Sequence, residues 1–215
     1  MLRVIRWCMF FTGLVLLGLG NAMAVKVQFL GLNSWDVLNV ALFNRLGLTI
    51  GTWGVLCGIF LIFISLIIDR KYINFGTILN AMLVGPIMDF FLWTDILPDA
   101  THSWVDFLII GASIVLAGIG GGMYVASGMG AGPRDGFMLT VSDLTGVSVS
   151  NARIIVESII VIIGFLLGGP VFIFTFIYTF IQSPIFQRSF HYFKGFVERF
   201  PIKTASSRAA VGREC

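Results

Sequence analysis

Charge is what this chain has least of. Only 12% of its 215 residues are charged, which is too few to coat a water-facing surface; an ordinary soluble domain carries about 25%. Histidine is almost missing. His102 and His191 stand far apart, so no H-E-x-x-H pair or histidine cluster exists to hold a catalytic metal. The cysteines, Cys8, Cys57 and Cys215, are odd in number and show no C-x-x-C spacing, which excludes a disulfide framework and a zinc site. Cys8 and Cys57 lie in apolar runs and read as small hydrophobes. No G-x-S-x-G element is present, and no basic domain could carry nucleic acid. The chain is therefore not read as an enzyme or a nucleic-acid binder, and no cofactor or metal is implied.

What is there is apolar. Hydrophobic residues make up 57% of the chain, and the mean hydropathy of +0.95 places it in a membrane. The 21 Phe against 4 Tyr fit a surface that faces lipid. Crossing ~30 Å of hydrocarbon takes about 20 residues. Runs of that kind lie near 7–30, 50–68, 73–93, 104–127, 149–168 and 170–190. The first, with Arg3, Arg6 and an Ala-Met-Ala at 22–24, mimics a secretory signal. Its internal copy argues instead for a retained helix.

That copy is part of a repeat. At a shift of 99, Gly31, Asp36 and Gly47 fall on Gly130, Asp135 and Gly146. At a shift of 100, Gly18, Gly20, Met23 and Val25 fall on Gly118, Gly120, Met123 and Val125. At a shift of 98, Thr77 and Pro86 fall on Thr175 and Pro184. The matched segments at 33–46 and 133–144 would reach only about 21 and 18 Å as helices, too short to cross. Each half thus reads as span, short helix, span, span. Three crossings per half is an odd number, so the second half enters the membrane upside down. The expected fold is an all-α membrane protein. Its six transmembrane helices form two inverted three-span repeats, at about 5–93 and 104–190, each with a short re-entrant or interfacial helix. Residues 1–200 form a single integral membrane domain, and 201–215 a basic cytoplasmic tail.

Charge placement agrees. With Arg3 and Arg6 in the cytoplasm, Arg70, Lys71, Arg134 and the tail also fall inside, while Asp95, Asp99 and Asp106 fall outside. Of fourteen Lys and Arg, only Lys26, Arg45 and the intramembrane Arg153 depart from the cytoplasmic side, leaving eleven on it. Both termini are expected in the cytoplasm. The stretch from His191 to Phe200 alternates aromatic and charged residues and reads as an interfacial helix on anionic lipid, or as a solvated terminus.

"GLNSWDVLNVAL", "GMGAGPRDGFML" and "ARIIVESIIVIIGFLLGG" resemble the YczE/YyaS/YitT group of bacterial integral membrane proteins, most closely its YczE-like branch. The resemblance covers roughly residues 5–195. It implies a bacterial cytoplasmic (inner) membrane location and brings no activity with it.

The site candidates come from the polar residues of the oily segments. Asn33 or Ser34 suits an N-cap, and Asp36 lies in the first helical turn. Pro133 suits the first helical position, with Asp135 in the same turn. Two readings stay open: the carboxylates cap their helices, or they line a central site built from helix tips. Arg134 either pairs with Asp36 across the repeat axis or, the favoured reading, snorkels to the cytoplasm. Trp35 is an interfacial anchor, the safer reading, or a cavity wall. Glu157 lies mid-span, four residues after Arg153 on one helix face. That face must meet protein or water. Asn21, Asn80 and Gln182 are read as interhelical hydrogen-bonding groups. Gly31, Gly130 and Gly132 serve as packing or hinge glycines. The glycines from Gly118 to Gly132 serve close helix packing and do not cradle phosphate.

The expected function is a small-solute transporter or channel with a central site between the repeats. The partners are the lipid bilayer and a small solute or ion. A homo-oligomer fits this architecture without being fixed by it. The alternative is a non-transporting membrane accessory protein, with Asp36 and Asp135 as mere caps.

Overall fold

The computed structural model describes residues 2–94 and 96–199, apart from the side chain of Thr179. Asp95 and the tail at 201–215, with Lys203, Arg208, Arg213 and Cys215, lie outside the described residues. Among the described residues all regular structure is helical. Eight α-helices follow one another: α1 (Leu2–Lys26), α2 (Ser34–Leu46), α3 (Ile50–Ile68), α4 (Phe75–Trp93), α5 (Trp104–Ala126), α6 (Pro133–Thr145), α7 (Val149–Leu166) and α8 (Ile173–Glu198). Single 3-10 turns lie at Gln28–Leu30 and Arg70–Tyr72.

Local chemistry sets these boundaries. Asn33 caps α2 by accepting from Asp36 N, Thr49 caps α3 by accepting from Thr52 N, and Ser148 caps α7 by accepting from Asn151 N. Pro133 opens α6 at its first position. Gly47 and Gly146, with φ of 76° and 70°, end α2 and α6 in a conformation that favours glycine. α2 and α6 are both 13 residues long, or about 20 Å.

α1, α3, α4, α5 and α7 are long and apolar enough to cross a membrane by length and composition. The outer surface carries Phe60, Phe63, Ile67, Ile159, Phe165, Phe176 and Phe180, all exposed. So broad an apolar surface is stable against lipid and not against water. α8 runs 26 residues, so residues 191–198 of the expected interfacial helix are instead the end of α8, and Phe200 lies outside the described residues. Nothing before Pro201 forces that helix to stop. Its end is also held in place: Val197 is buried with Met9 and Ala126, between the ends of α1 and α5.

Glycines decide which helices touch. α1 and α5 pack antiparallel. A Cβ on Gly13 would come 2.7 Å from Tyr124 N, and one on Gly20 would come 2.8 Å from Ala117 N. α5 and α8 pack parallel, Gly118 against Ile185 and Gly122 against Phe190. α3 and α4 pack antiparallel, Gly51 against Gly85 and Gly58 against Ala81.

These contacts recur when the halves are exchanged. Gly18 meets Ile87 as Gly118 meets Ile185, and Gly20 meets Ala117 as Gly120 meets Leu17. α1 packs on α4 as α5 packs on α8, and α2 packs on α7 as α6 packs on α3. The one clear departure is that α3 packs closely on α4, whereas α7 and α8 are not among the packed pairs of the described residues.

Gly120→Ala would place a methyl 2.6 Å from Gly13 O and Leu17 N, both backbone atoms that cannot swing away. It should lower the detergent-solubilised protein's stability by about 1–3 kcal/mol. Gly111→Ala, where a Cβ meets nothing within 4 Å, should be neutral or slightly stabilising. Thermal unfolding of the two variants side by side checks this.

Candidate functional site

The loops that lead into α2 and α6 are set by two glycines. Gly31 has φ of 125° and Gly130 of 144°, so other residues are strained there. Each is pressed against the first turn of a helix from the other half. A Cβ on Gly31 would come 2.6 Å from Thr175 N, and one on Gly130 would come 3.1 Å from Thr77 N. Thr175 and Thr77 are repeat partners, so one device positions both short helices.

The N-terminal tips of α2 and α6 meet across this arrangement. The Arg134 guanidinium lies over the Trp35 ring, 5.1 Å from its centroid. Positions 35 and 134 are themselves repeat partners. Two residues matched by the sequence offset thus touch each other.

A cavity of about 140 Å³ opens at this junction. It is lined by Asn33, Trp35, Asp36, Gly132, Arg134, Asp135, Arg153 and Glu157. Eight of the ten expected site residues are thus gathered. The other two, Gly31 and Gly130, shape the loops behind it.

The carboxylates are held by side chains. Asp36 is 1% exposed. Its Oδ2 accepts from Asn33 Nδ2 at 2.5 Å and its Oδ1 from Asn39 Nδ2 at 3.4 Å, with Arg134 Nη2 4.0 Å away. Asp135 Oδ2 accepts from the Tyr124 hydroxyl at 2.8 Å, and its Oδ1 from Arg153 Nη2 at 3.2 Å. Arg153 Nε lies 3.5 Å from Glu157 Oε1, so one guanidinium serves two carboxylates. This corrects two expectations and narrows one that was open. The cap of α2 is Asn33 and neither Asp caps by its side chain, because both carboxylates turn to side-chain partners in the cavity. Arg134 does not snorkel free but stays with Trp35 and Asp36, since a desolvated carboxylate attracts it more than the interface does. Trp35 is 5% exposed and walls the cavity, so it is no interfacial anchor.

Asn21, Asn80 and Gln182 also line the cavity, beyond their expected role between helices. Two lining residues carried no sequence signal that was read. Asn39 follows Asp36 by one helical turn, and that spacing places it on the same face. Tyr124 is the lone polar aromatic among the glycines of α5. The two Cα-hydrogen positions Gly54 and Gly58 on α3 are the repeat partners of Arg153 and Glu157 on α7. Gly54 lines the cavity and Gly58 is filled by Pro133, so the charge comes from one side only.

Residues 4–194 match the model of a family of unknown function, DUF6198. The chain belongs to this family. It is 33% identical over 168 residues to a protein of Bacillus subtilis (strain 168) called "Uncharacterized membrane protein YczE", covering 78% of this chain and 77% of that one. It is 27% identical over 162 residues to YyaS of the same organism, covering 74% and 79%. A protein of Haemophilus influenzae (strain ATCC 51907 / DSM 11121 / KW20 / Rd) is 32% identical over 163 residues, covering 74% and 71%. No solved structure gave a significant match. Family membership and the apolar helices together make this a membrane protein.

Arg153→Gln would withdraw the guanidinium from both Asp135 and Glu157. The Arg153, Asp135 and Glu157 side chains are 31%, 27% and 17% exposed, so the loss should be about 1–3 kcal/mol, below that of a fully buried pair. Adding Asp135→Asn should recover much of it. A double-mutant cycle by thermal unfolding measures the coupling.

Proposed function

We propose that this protein is a transporter or channel for a small solute in the bacterial cytoplasmic membrane. Its six spans form two inverted three-span repeats, with both termini in the cytoplasm. The observation that carries the reading is the polar cavity at the meeting point of two short helices from opposite halves. Non-helical backbone at membrane depth is tolerated only inside protein or beside a wet cavity, and inverted repeats build their substrate sites from such helix tips.

Helix directions support the crossing number. Were α2, α3 and α4 all full crossings, α5 would run parallel to α1. The two pack antiparallel. Were α6 and α7 both full crossings, α8 would run opposite to α5. They pack parallel. Each short helix therefore adds no crossing, and α8, lying along α5, is the sixth span.

The asymmetry between halves supports alternating access. At the outer end of α3, Asp89 seals α3 to α4. Its Oδ1 accepts from Gly51 N at 2.8 Å and its Oδ2 from the Thr49 hydroxyl at 2.5 Å. The repeat partners of Thr49, Gly51 and Asp89 are Ser148, Ser150 and Gln187, at the cytoplasmic end where α7 and α8 stand apart. The structure fits an inward-open state. Closure of α7 on α8, with opening at Asp89, would give the outward state.

Two measurements test this. In liposomes, the wild type should move at least one solute of a labelled panel. An Asp36→Asn/Asp135→Asn double variant that still folds should lose most of that flux. Full flux in the folded double variant counts against transport through this cavity and favours an accessory role. In a background without native cysteines, Asp89→Ala should raise labelling of Thr52→Cys from the outer face and lower labelling of Ser150→Cys from the cytoplasmic face. Unchanged labelling at both removes the gate.

A further inference from the structure

From the charges and unmet hydrogen bonds of the cavity, we infer that its guest is a small organic cation with N–H donors, a protonated amine that also bears a hydroxyl or carbonyl group. This rests on the cavity being the site proposed above.

Charge comes first. Asp36, Asp135 and Glu157 face Arg134 and Arg153, three carboxylates against two guanidiniums, which leaves the ionised site at −1. The excess is localised. Arg153 is shared by Asp135 and Glu157. Arg134 is engaged over Trp35 and stays 4.0 Å from Asp36, beyond direct hydrogen bonding. Asp36 is therefore the carboxylate without a guanidinium in contact. The helix N-termini of α2 and α6 would by themselves favour an anion. Each already has its own carboxylate in the first turn, Asp36 or Asp135, so that attraction is spent within the protein.

Hydrogen bonding comes second. Asn39 is 1% exposed and lines the cavity. Its Nδ2 donates to Asp36, which fixes the orientation of the amide, and its Oδ1 has no partner. A buried acceptor beside a carboxylate calls for a donor that is also positive. Three donors lack a hydrogen-bond partner as well: Trp35 Nε1 and Asn80 Nδ2, on side chains 5% and 6% exposed, and Arg153 Nε, whose nearest carboxylate oxygen is Glu157 Oε1 at 3.5 Å; all three residues line the same cavity. They call for an acceptor on the same guest. Space comes third. About 140 Å³ is room for roughly five waters at ~30 Å³ each, or a solute of a similar number of heavy atoms.

Titration calorimetry on purified, detergent-solubilised full-length protein at neutral pH tests the class with four probes of similar size. Ethanolamine should bind. Tetramethylammonium, which has the charge but no N–H, should bind more weakly, as should the zwitterion glycine. The anion glycolate should not bind detectably. Asp36→Asn and Asn39→Leu, each shown folded by thermal unfolding, should each weaken ethanolamine by about tenfold or more, as loss of a desolvated charge or acceptor does. Asn39→Leu keeps the carboxylate, so it reads the acceptor even where the Asp36 variant fails to fold. Tighter binding of glycolate than ethanolamine, no binding of ethanolamine, or equal binding in wild type and folded variants overturns the inference. The readout needs no flux. Protein that binds ethanolamine through Asp36 yet moves no solute in liposomes supports the assignment of the guest and sinks the transport reading instead.

Discussion

A carboxylate held at membrane depth costs about 2.5–3.5 kcal/mol or more unless something answers it. This chain brings three carboxylates to one cavity, and much of the architecture is what makes that tolerable. Asp36 is answered by two asparagines and, at longer range, by Arg134. Asp135 is answered by Tyr124 and Arg153. None of these partners lies on the same helix turn by chance alone. They come from α2, α5, α6 and α7, so the site forms only when helices from both halves have docked. Local helix formation and global assembly are thereby tied together.

Docking so close depends on the small residues. Between lipid-solvated helices there is no hydrophobic gain from association, and packing must supply the attraction. Glycines at 13, 20 and 120 let the α1 and α5 backbones approach to distances at which a methyl would clash. That contact forms a spine, with α4 and α8 flanking it in equivalent positions. The second set of helices, α2, α3, α6 and α7, packs mainly among its own members and carries the five charged residues that line the cavity. The two sets join firmly at α3–α4.

The sequence alone disclosed much of the framework. The repeat offset placed Gly31 with Gly130 and Asp36 with Asp135, and the observed helices α2 and α6 have equal length and both end at a glycine of positive φ. Thr49 and Ser148, related by the same offset, are equivalent caps of α3 and α7. What stayed hidden was orientation. A spacing says which residues share a face, not whether that face meets lipid, an interface or a neighbour. Trp35 looked like an anchor for that reason, and Arg134 like a residue reaching for the cytoplasm. Their contact joins the tips of two helices far apart in sequence, which neither local pattern can reveal. The end of α8 was misjudged for a related reason. Its aromatic and charged residues suit an interface, but Val197 is buried against α1 and α5, a tertiary contact with no local signature.

The exceptions to the charge pattern have a structural cause. In the proposed orientation Lys26 and Arg45 fall on the outer side, where Lys and Arg are disfavoured as topogenic charges. Lys26 pairs with Asp99 at 2.6 Å in the connection between α4 and α5. Arg45 donates through Nε to Leu167 O at 2.7 Å, capping carbonyls at the end of α7. At the opposite end, Asp143 of α6 meets Lys71 at 2.7 Å and Tyr72 at 2.8 Å, in the turn between α3 and α4. The ammonium beside it holds the Asp143 carboxyl below its usual range, and the carboxylate in turn raises Lys71. So the far end of each short helix is fastened to the turn before the last helix of the other half, with opposite charge at the two ends. A stubby helix that crosses nothing has few lipid or core contacts to fix its tilt. Fastened at its C-terminal end and pinned by a glycine at its entry, it can present its tip to the cavity at a set depth. Lys26 and Arg45, the two exceptions, are thus each held by a partner in a connection between helices.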